Sequence, residues 1–234
     1  MTVATQNSLD NLAFFAPLDH RTREAVGQQC RWRRFAPNEQ IIDRQDEGRD
    51  VYFLVEGRVR VVNYSLSGRE ISFDDLDPGS YFGELSAIDG LPRSANVIAL
   101  TDSHVLIMPQ GVFERTVTEN PTLALGVMKN LAYVVRRATE RIMDLSTLGA
   151  NNRVHAEILR LAKSQTEDGR SAIVKPIPVH GDIASRVSTT RETVARVFGD
   201  LARTGLVQRR SDHLLITDLA ELQEMVEDVR GDGG

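Results

Sequence analysis

Glu84 and Arg93 are the two charged side chains of a short stretch, Phe82-Gly83-Glu84-Leu85-Ser86-Ala87-Ile88 followed by Pro92-Arg93-Ser94-Ala95. A carboxylate accepts hydrogen bonds and donates none, so Glu84 suits a sugar hydroxyl and repels phosphate. Arg93 supplies a permanently charged fork matched to phosphate oxygens. A Gly83-led turn into a short helix would point free backbone N–H groups at an anion. Both signs of charge around one turn select a ligand carrying ribose and phosphate together, and a cyclic ribonucleotide is such a ligand.

A second set of residues suits a different partner. Between Val179 and His213 stand six arginines, Arg186, Arg191, Arg196, Arg203, Arg209 and Arg210, against four acids, Asp182, Glu192, Asp200 and Asp212. The whole chain of 234 residues has net charge −5, so this positive surplus is local and marks where DNA would touch. Ile183, Ala184 and Val187 form one apolar helix face, and Val194, Val197, Phe198 and Leu201 form another. Ser188-Thr189-Thr190 lies between them, with Thr189 and Glu192 at capping-box spacing, which is a helix-turn-helix pattern. In that geometry Arg191, Glu192 and Arg196 face base edges in the major groove. Arginine grips guanine O6 and N7, and glutamate accepts from cytosine N4. Arg209, Arg210, Ser188 and Thr190 are suited to phosphates, which position a protein without reading sequence.

The elements that must position these residues follow from the period of the apolar residues. A Ser8-led helical segment carries Leu9, Leu12, Phe14 and Phe15. Glycines at 48, 57, 68, 79 and 90 then separate short apolar runs, the mark of an all-β sandwich or barrel. Strands are predicted at 51–55, 59–64, 71–76, 95–100 and 105–108. From Pro121 the period changes, and Met128, Leu131, Val135, Ala138, Ile142 and Leu145 advance by alternating steps of three and four. That is a heptad seam, and a seam on one long helix calls for a parallel homodimer with two-fold symmetry. A helix over 154–162 precedes the helix-turn-helix. Gly205 ends its second helix, and 206–208 with 214–217 form a hairpin wing. The fold class is α+β, divided into an all-β domain over 1–120, which the resemblance given next makes a β-roll, a dimerisation helix and hinge over 121–149, and a winged helix-turn-helix over 150–234.

On the Gly83–Ser94 motif, the strand run Val51–Val61 and the segment Arg191-Glu192-Thr193-Val194-Ala195-Arg196, the chain resembles the CRP/FNR family of bacterial transcription regulators, in its cyclic-nucleotide-binding branch. The resemblance implies amide contacts from Gly83 and Leu85, ribose at Glu84, and phosphate at Arg93 and Ser94. It places the base beside Ala138 and Thr139 of the long helix, where only threonine keeps a hydroxyl. The implied ligand is cAMP, with cGMP as the alternative. The implied DNA site is TGTGA-N6-TCACA, read as double-stranded DNA by a homodimer, with RNA polymerase as a further partner.

Composition narrows the alternatives. The hydrophobic share is 41% and the charged share 26%, ordinary for a globular chain of two modest domains. Cys30 is the only cysteine, so neither an internal disulfide nor a cysteine-ligated cluster is expected. No apolar run is long enough to span a membrane, no signal-peptide pattern opens the chain, and a cytoplasmic protein is expected. No metal site or nucleophile–base arrangement is apparent, so an enzyme is not expected. The rivals are a regulator of the same fold answering another effector, such as a gas sensed through haem, and a nucleotide-binding regulatory subunit. Gly149 is the expected hinge, where a nucleotide would order residues 139–149, and Gly231-Asp232-Gly233-Gly234 is expected to be a disordered end.

Overall fold

The computed structural model describes residues 8–163 and 170–231. The chain divides into two compact units, Met1–Val134 and Val135–Gly234.

The first unit opens with two 3-10 turns, Leu9–Asn11 and Ala13–Phe15, where a single helical segment was expected. Leu9, Leu12 and Phe15 are all buried, and their spacing of three matches the 3-10 period, which aligns them on one side. Ser8 accepts the Asp10 amide and starts the first turn. Helix α1 (His20–Gly27) follows, then strands β1 (Arg31–Phe35), β2 (Gln40–Ile42), β3 (Val51–Glu56), β4 (Val59–Tyr64), β5 (Glu70–Leu76) and β6 (Tyr81–Phe82). After helix α2 (Glu84–Asp89) come β7 (Asn96–Ala99), β8 (Ser103–Met108) and helix α3 (Gln110–Thr118).

The strands make two antiparallel four-stranded sheets, in the orders β1-β8-β3-β6 and β2-β7-β4-β5. Phe35, Ile42, Leu54, Val59, Phe82, Val97, Ala99 and Val105 form the core shared by the two sheets. Val51, Phe53, Leu106 and Met108 instead join a second core with the 3-10 turns, α1, α3 and the start of the long helix. Strand β8 is therefore buried at every residue, because both faces of its sheet are covered, and only Ser103 and His104 precede its apolar run Val105–Met108.

The long helix α4 (Pro121–Thr147) begins at a proline, which loses no helix bond at the first position. Of its seam residues Leu131 packs against the first unit's core. Met128, Val135, Ala138, Ile142 and Leu145 are exposed, Val135 at 64% and Ile142 at 62%.

The second unit continues through α5 (Ala150–Lys163), β9 (Ala172–Val174), α6 (His180–Arg186), α7 (Arg191–Arg203), β10 (Val207–Arg209), β11 (Leu214–Ile216) and α8 (Leu219–Gly231). The wing is a three-stranded antiparallel sheet in the order β10-β11-β9, with β9 an addition to the expected hairpin. Val154, Ile158, Ile183, Val194, Val197, Leu201, Ile216 and Leu222 lie at the centre of one core. Gly205, at φ 84, ends α7 as expected. Helical structure breaks at Leu148 and Gly149, but Gly149 is not in the left-handed region that the hinge expectation allowed for. Leu148 is buried there, and the Gly149 carbonyl accepts the Arg153 amide at the start of α5. Gly231 ends α8, and the rest of the expected disordered end lies outside the described residues.

Candidate nucleotide and DNA sites

Strand β6 delivers the chain to Gly83, which precedes α2 in the left-handed region at φ 82. A Cβ there would sit 2.7 Å from Arg93 Nη1 and 3.1 Å from the Asp50 carbonyl oxygen, so the backbone and Arg93 meet only because the residue is glycine. The Arg93 side chain runs into the turn and is 4% exposed. Its Nη1 donates to the Gly83 carbonyl at 2.8 Å and its Nη2 to the Asp50 carbonyl at 2.8 Å. Those bonds use two of the five guanidinium N–H groups, and the buried Nε has no protein partner. Tyr52 lies with its ring centre 5.7 Å from the Arg93 guanidinium carbon and stacks on Phe82.

Glu84, the first residue of α2, is 9% exposed. Burial pushes its carboxyl above the usual range, against the opposing pull of its own backbone amide and of Arg93. Burial likewise weakens the proton affinity of Arg93, while Tyr52, Asp46, Asp50 and Glu84 act to restore it. An orphaned, buried guanidinium nitrogen beside a buried carboxyl fits a ligand that presents an anionic oxygen and a hydroxyl together. Leu85 and Ser94 are exposed next to them, and the Ser94 carbonyl accepts from Asn63. Ala138 and Thr139 lie on the exposed surface of α4 in the second unit, where the Thr139 hydroxyl donates to the Val135 carbonyl at 3.0 Å.

At the other site α7 buries Val194, Val197 and Leu201, which turns Arg191, Glu192 and Arg196 outward. The cap of α7 is Thr190, whose hydroxyl oxygen accepts the Thr193 amide at 3.2 Å. The expected Thr189–Glu192 capping box is thus displaced by one residue, because the Thr189 amide is engaged by the Ala184 carbonyl. The Glu192 carboxyl is held below its usual range by its own amide first and by the Thr190 hydroxyl next. Ser188 is half-buried at φ 53, and Arg209 and Arg210 are exposed on the wing.

Not every arginine of the basic run faces outward. Arg186 is 14% exposed and donates to Glu157 at 3.0 Å, so it belongs to the interior and not to the DNA face. Arg160 completes the group with two bonds to Glu157, at 2.7 and 2.8 Å. Burial alone would raise the Glu157 carboxyl, but Arg160 and Arg186 together leave it below its usual range. Arg196 donates to Asn151 at 3.1 Å, and Arg203 pairs with Asp200.

Arg153 was not visible from the sequence as a functional residue. It donates to Leu148, Val187 and Ser188 carbonyl oxygens, and nothing in residue type or spacing marks a side chain whose partners are main-chain oxygens. Among the described residues no group of three or more His, Cys, Asp or Glu side chains could hold a metal ion, and no helix is long and apolar enough to cross a membrane.

A β-roll with an anion-and-hydroxyl site, in one chain with a winged helix-turn-helix, defines a ligand-sensing DNA-binding regulator. Residues 32–120 match the cyclic nucleotide-binding domain, and residues 152–225 match the Crp-like helix-turn-helix domain. The transcriptional regulator LdrP of Thermus thermophilus is 32% identical, over 82% of this chain and 94% of that protein. The cyclic AMP receptor protein of the same organism is 30% identical, over 79% of this chain and 83% of its own length. The solved structure of a CooA mutant from Carboxydothermus hydrogenoformans superimposes with a TM-score of 0.79, at 22% identity, over 94% of this chain and 98% of that one, and shows the shared fold. The chain belongs to the CRP/FNR family: it is a DNA-binding transcription regulator with a cyclic-nucleotide-binding domain, and not an enzyme.

Proposed function

We propose that this regulator answers a cyclic nucleotide and, as a homodimer, reads a TGTGA-N6-TCACA-like palindrome. The observation that carries the reading is the Arg93 guanidinium, buried with one nitrogen unpartnered, beside the buried Glu84 carboxyl. Arg93 and Ser94 take the phosphate, Glu84 the ribose hydroxyl, and the amides of Gly83 and Leu85 the remaining anionic oxygen. Ala138 and Thr139 meet the base. Thr139 spends its proton on the Val135 carbonyl and so presents only lone pairs, which suits the amino group of adenine better than the carbonyl of guanine. This favours cAMP over cGMP.

Arg191, Glu192 and Arg196 read base edges, while Ser188, Thr190, Arg209 and Arg210 hold phosphates. The exposed seam of α4 pairs with that of a second copy, and two recognition helices about 34 Å apart then match one turn of DNA. Nucleotide binding orders 139–149 and thereby sets that spacing. The division into 1–120, 121–149 and 150–234, a cytoplasmic location and a contact with RNA polymerase complete the reading.

Fluorescence anisotropy of a labelled TGTGA-N6-TCACA duplex, at fixed salt with no nucleotide, cAMP or cGMP, tests it. Coupling of about 1–3 kcal/mol tightens binding by up to about a hundredfold with cAMP. Equal affinity in all three conditions sinks the effector assignment. Loss of DNA binding altogether would return the chain to the regulatory-subunit reading.

A further inference from the structure

His180 opens α6 with its ring stacked on Phe198 of α7, the centroids 5.0 Å apart at an interplanar angle of 26°. The ring is half-buried, so it is fixed in direction while keeping access to solvent. Two cations act on it, one from each of two other elements: Arg191 at the start of α7 and Arg209 on β10 of the wing. Arg191 lies close along the first turn of α6, its Cδ and Nε 3.8 and 3.9 Å from where a Cβ on Gly181 would stand. Among the described residues neither Arg191 nor Arg209 makes a hydrogen bond or ion pair through its side chain. The recognition helix and the wing therefore each bring an exposed cation within electrostatic reach of the imidazole on the first helix of the motif.

In the free protein this arrangement opposes itself. Burial first, and then Arg209 and Arg191, push the imidazole below its usual proton affinity, so near neutral pH the ring is held uncharged. A DNA phosphate arriving at the same place reverses the sign of the field. It pairs with Arg209, which the reading already assigns to phosphate, and the imidazole beside it then gains by carrying a proton.

We propose that His180 is a phosphate contact made by protonation, so that DNA binding by this regulator takes up a proton at each helix-turn-helix. The proposal rests on the reading of Arg191 and Arg209 as DNA-facing. It adds a titrating group to that face, and it makes DNA affinity rise as pH falls through the range where histidine titrates. Phosphate contacts do not depend on base sequence, so the effect belongs to non-specific binding as well.

That independence gives the test. The full-length protein is titrated by calorimetry into a mixed-sequence duplex at low salt near pH 6.5, in two buffers with different ionisation heats, and the difference gives the protons taken up. The expected result is net uptake of up to about half a proton per protomer, with affinity rising several-fold between pH 7.5 and 6.0, since each unit gained in pKa corresponds to about tenfold. In His180→Gln the uptake and the pH dependence both vanish, whereas His213→Gln on the wing retains them. Binding without proton uptake in the wild-type protein overturns the proposal while leaving the DNA face intact, and so does uptake that survives His180→Gln. Failure to bind the duplex at low salt at any pH overturns the DNA-face reading itself, and the proposal with it.

Discussion

The guanidinium of Arg153 donates to the carbonyl oxygen of Ser188 at 3.2 Å, and the same fork reaches the carbonyls of Val187 at 2.8 Å and Leu148 at 2.7 Å. One planar group thus ties the segment after the long helix to the turn before the recognition helix. That turn needs a tie, because Ser188 is a non-glycine residue at φ 53, a conformation costing about 1 kcal/mol or more. Lysine keeps the charge but cannot serve three acceptors lying in the directions of a fork. Arg153→Lys is expected to lower unfolding stability by about 1–2 kcal/mol, the worth of one or two such bonds. It should also weaken DNA binding by roughly tenfold at temperatures where the fold is intact. Urea unfolding and anisotropy on the same preparation check this. Unchanged DNA affinity would show that the turn keeps its shape unaided.

Glu84 carries an opposition between stability and ligand binding. Burial raises its proton affinity in the folded state, so between the unfolded carboxyl's range and the raised folded value the native protein binds more protons than the unfolded chain. Stability therefore falls as pH rises through that window, and the full cost is present above it. Glu84→Gln removes the cost and should raise the melting temperature of the nucleotide-free protein at pH 7, with the gain disappearing toward pH 4. The same variant should lose the nucleotide-induced shift in melting temperature, since an amide replaces the ribose acceptor. A lower melting temperature at pH 7 would show that the carboxylate is fully compensated within the protein.

The α4 seam makes a prediction about assembly. Ile142 is 62% exposed in the single chain and takes no part in either unit's core, so Ile142→Glu should leave each fold intact. In a two-fold dimer it removes two buried isoleucines, about 2 kcal/mol each, which raises the dimer dissociation constant roughly a thousandfold. Sedimentation of the wild type as a dimer and of the variant as a monomer at micromolar concentration is the expected pair of results. A wild-type monomer refutes the seam as an interface.

What the sequence made legible were the features whose signal is local. The strands β3, β4, β5, β7 and β8 are visible because apolar runs end in turn-forming residues, and α6 and α7 because each buries one face. Strand β1 is hidden by Arg31, Arg33 and Arg34, which point outward to Asp50, Glu39 and Glu56 and leave only Phe35 buried. Strand β9 is three residues long and exists by pairing with β11, a partner far along the chain. The site divides in the same way. The conjunction of Gly83, Glu84 and Arg93 is written in one short motif. Arg153 and Glu157 are not, since the partners that tie them to the helix-turn-helix, Val187, Ser188 and Arg186, lie about thirty residues away and are either main-chain oxygens or an arginine indistinguishable from DNA-facing ones. Arg186 was grouped with the DNA face because local charge cannot tell an inward arginine from an outward one.

Arg191 and Arg210 separate the two kinds of DNA contact. Both are exposed, but Arg191 begins the recognition helix, whereas Arg210 follows the first wing strand and is steadied by Gln208 at 2.6 Å. A bidentate arginine–guanine pair is worth about 1–3 kcal/mol of discrimination, and this is lost when the guanine is changed. Arg191→Ala should therefore weaken the TGTGA-N6-TCACA duplex by about tenfold to a hundredfold per half-site. It should bring the affinity for a duplex with altered guanines close to that for the intact one. Arg210→Gln should weaken both duplexes alike and reduce the slope of log affinity against log salt by about 1 per protomer, as expected for one phosphate contact fewer. Salt titrations of the two variants on both duplexes decide the matter. If Arg191→Ala lowered both affinities equally and changed the salt slope as Arg210→Gln does, Arg191 would be a phosphate ligand, and the reading of guanine would have to rest on Arg196.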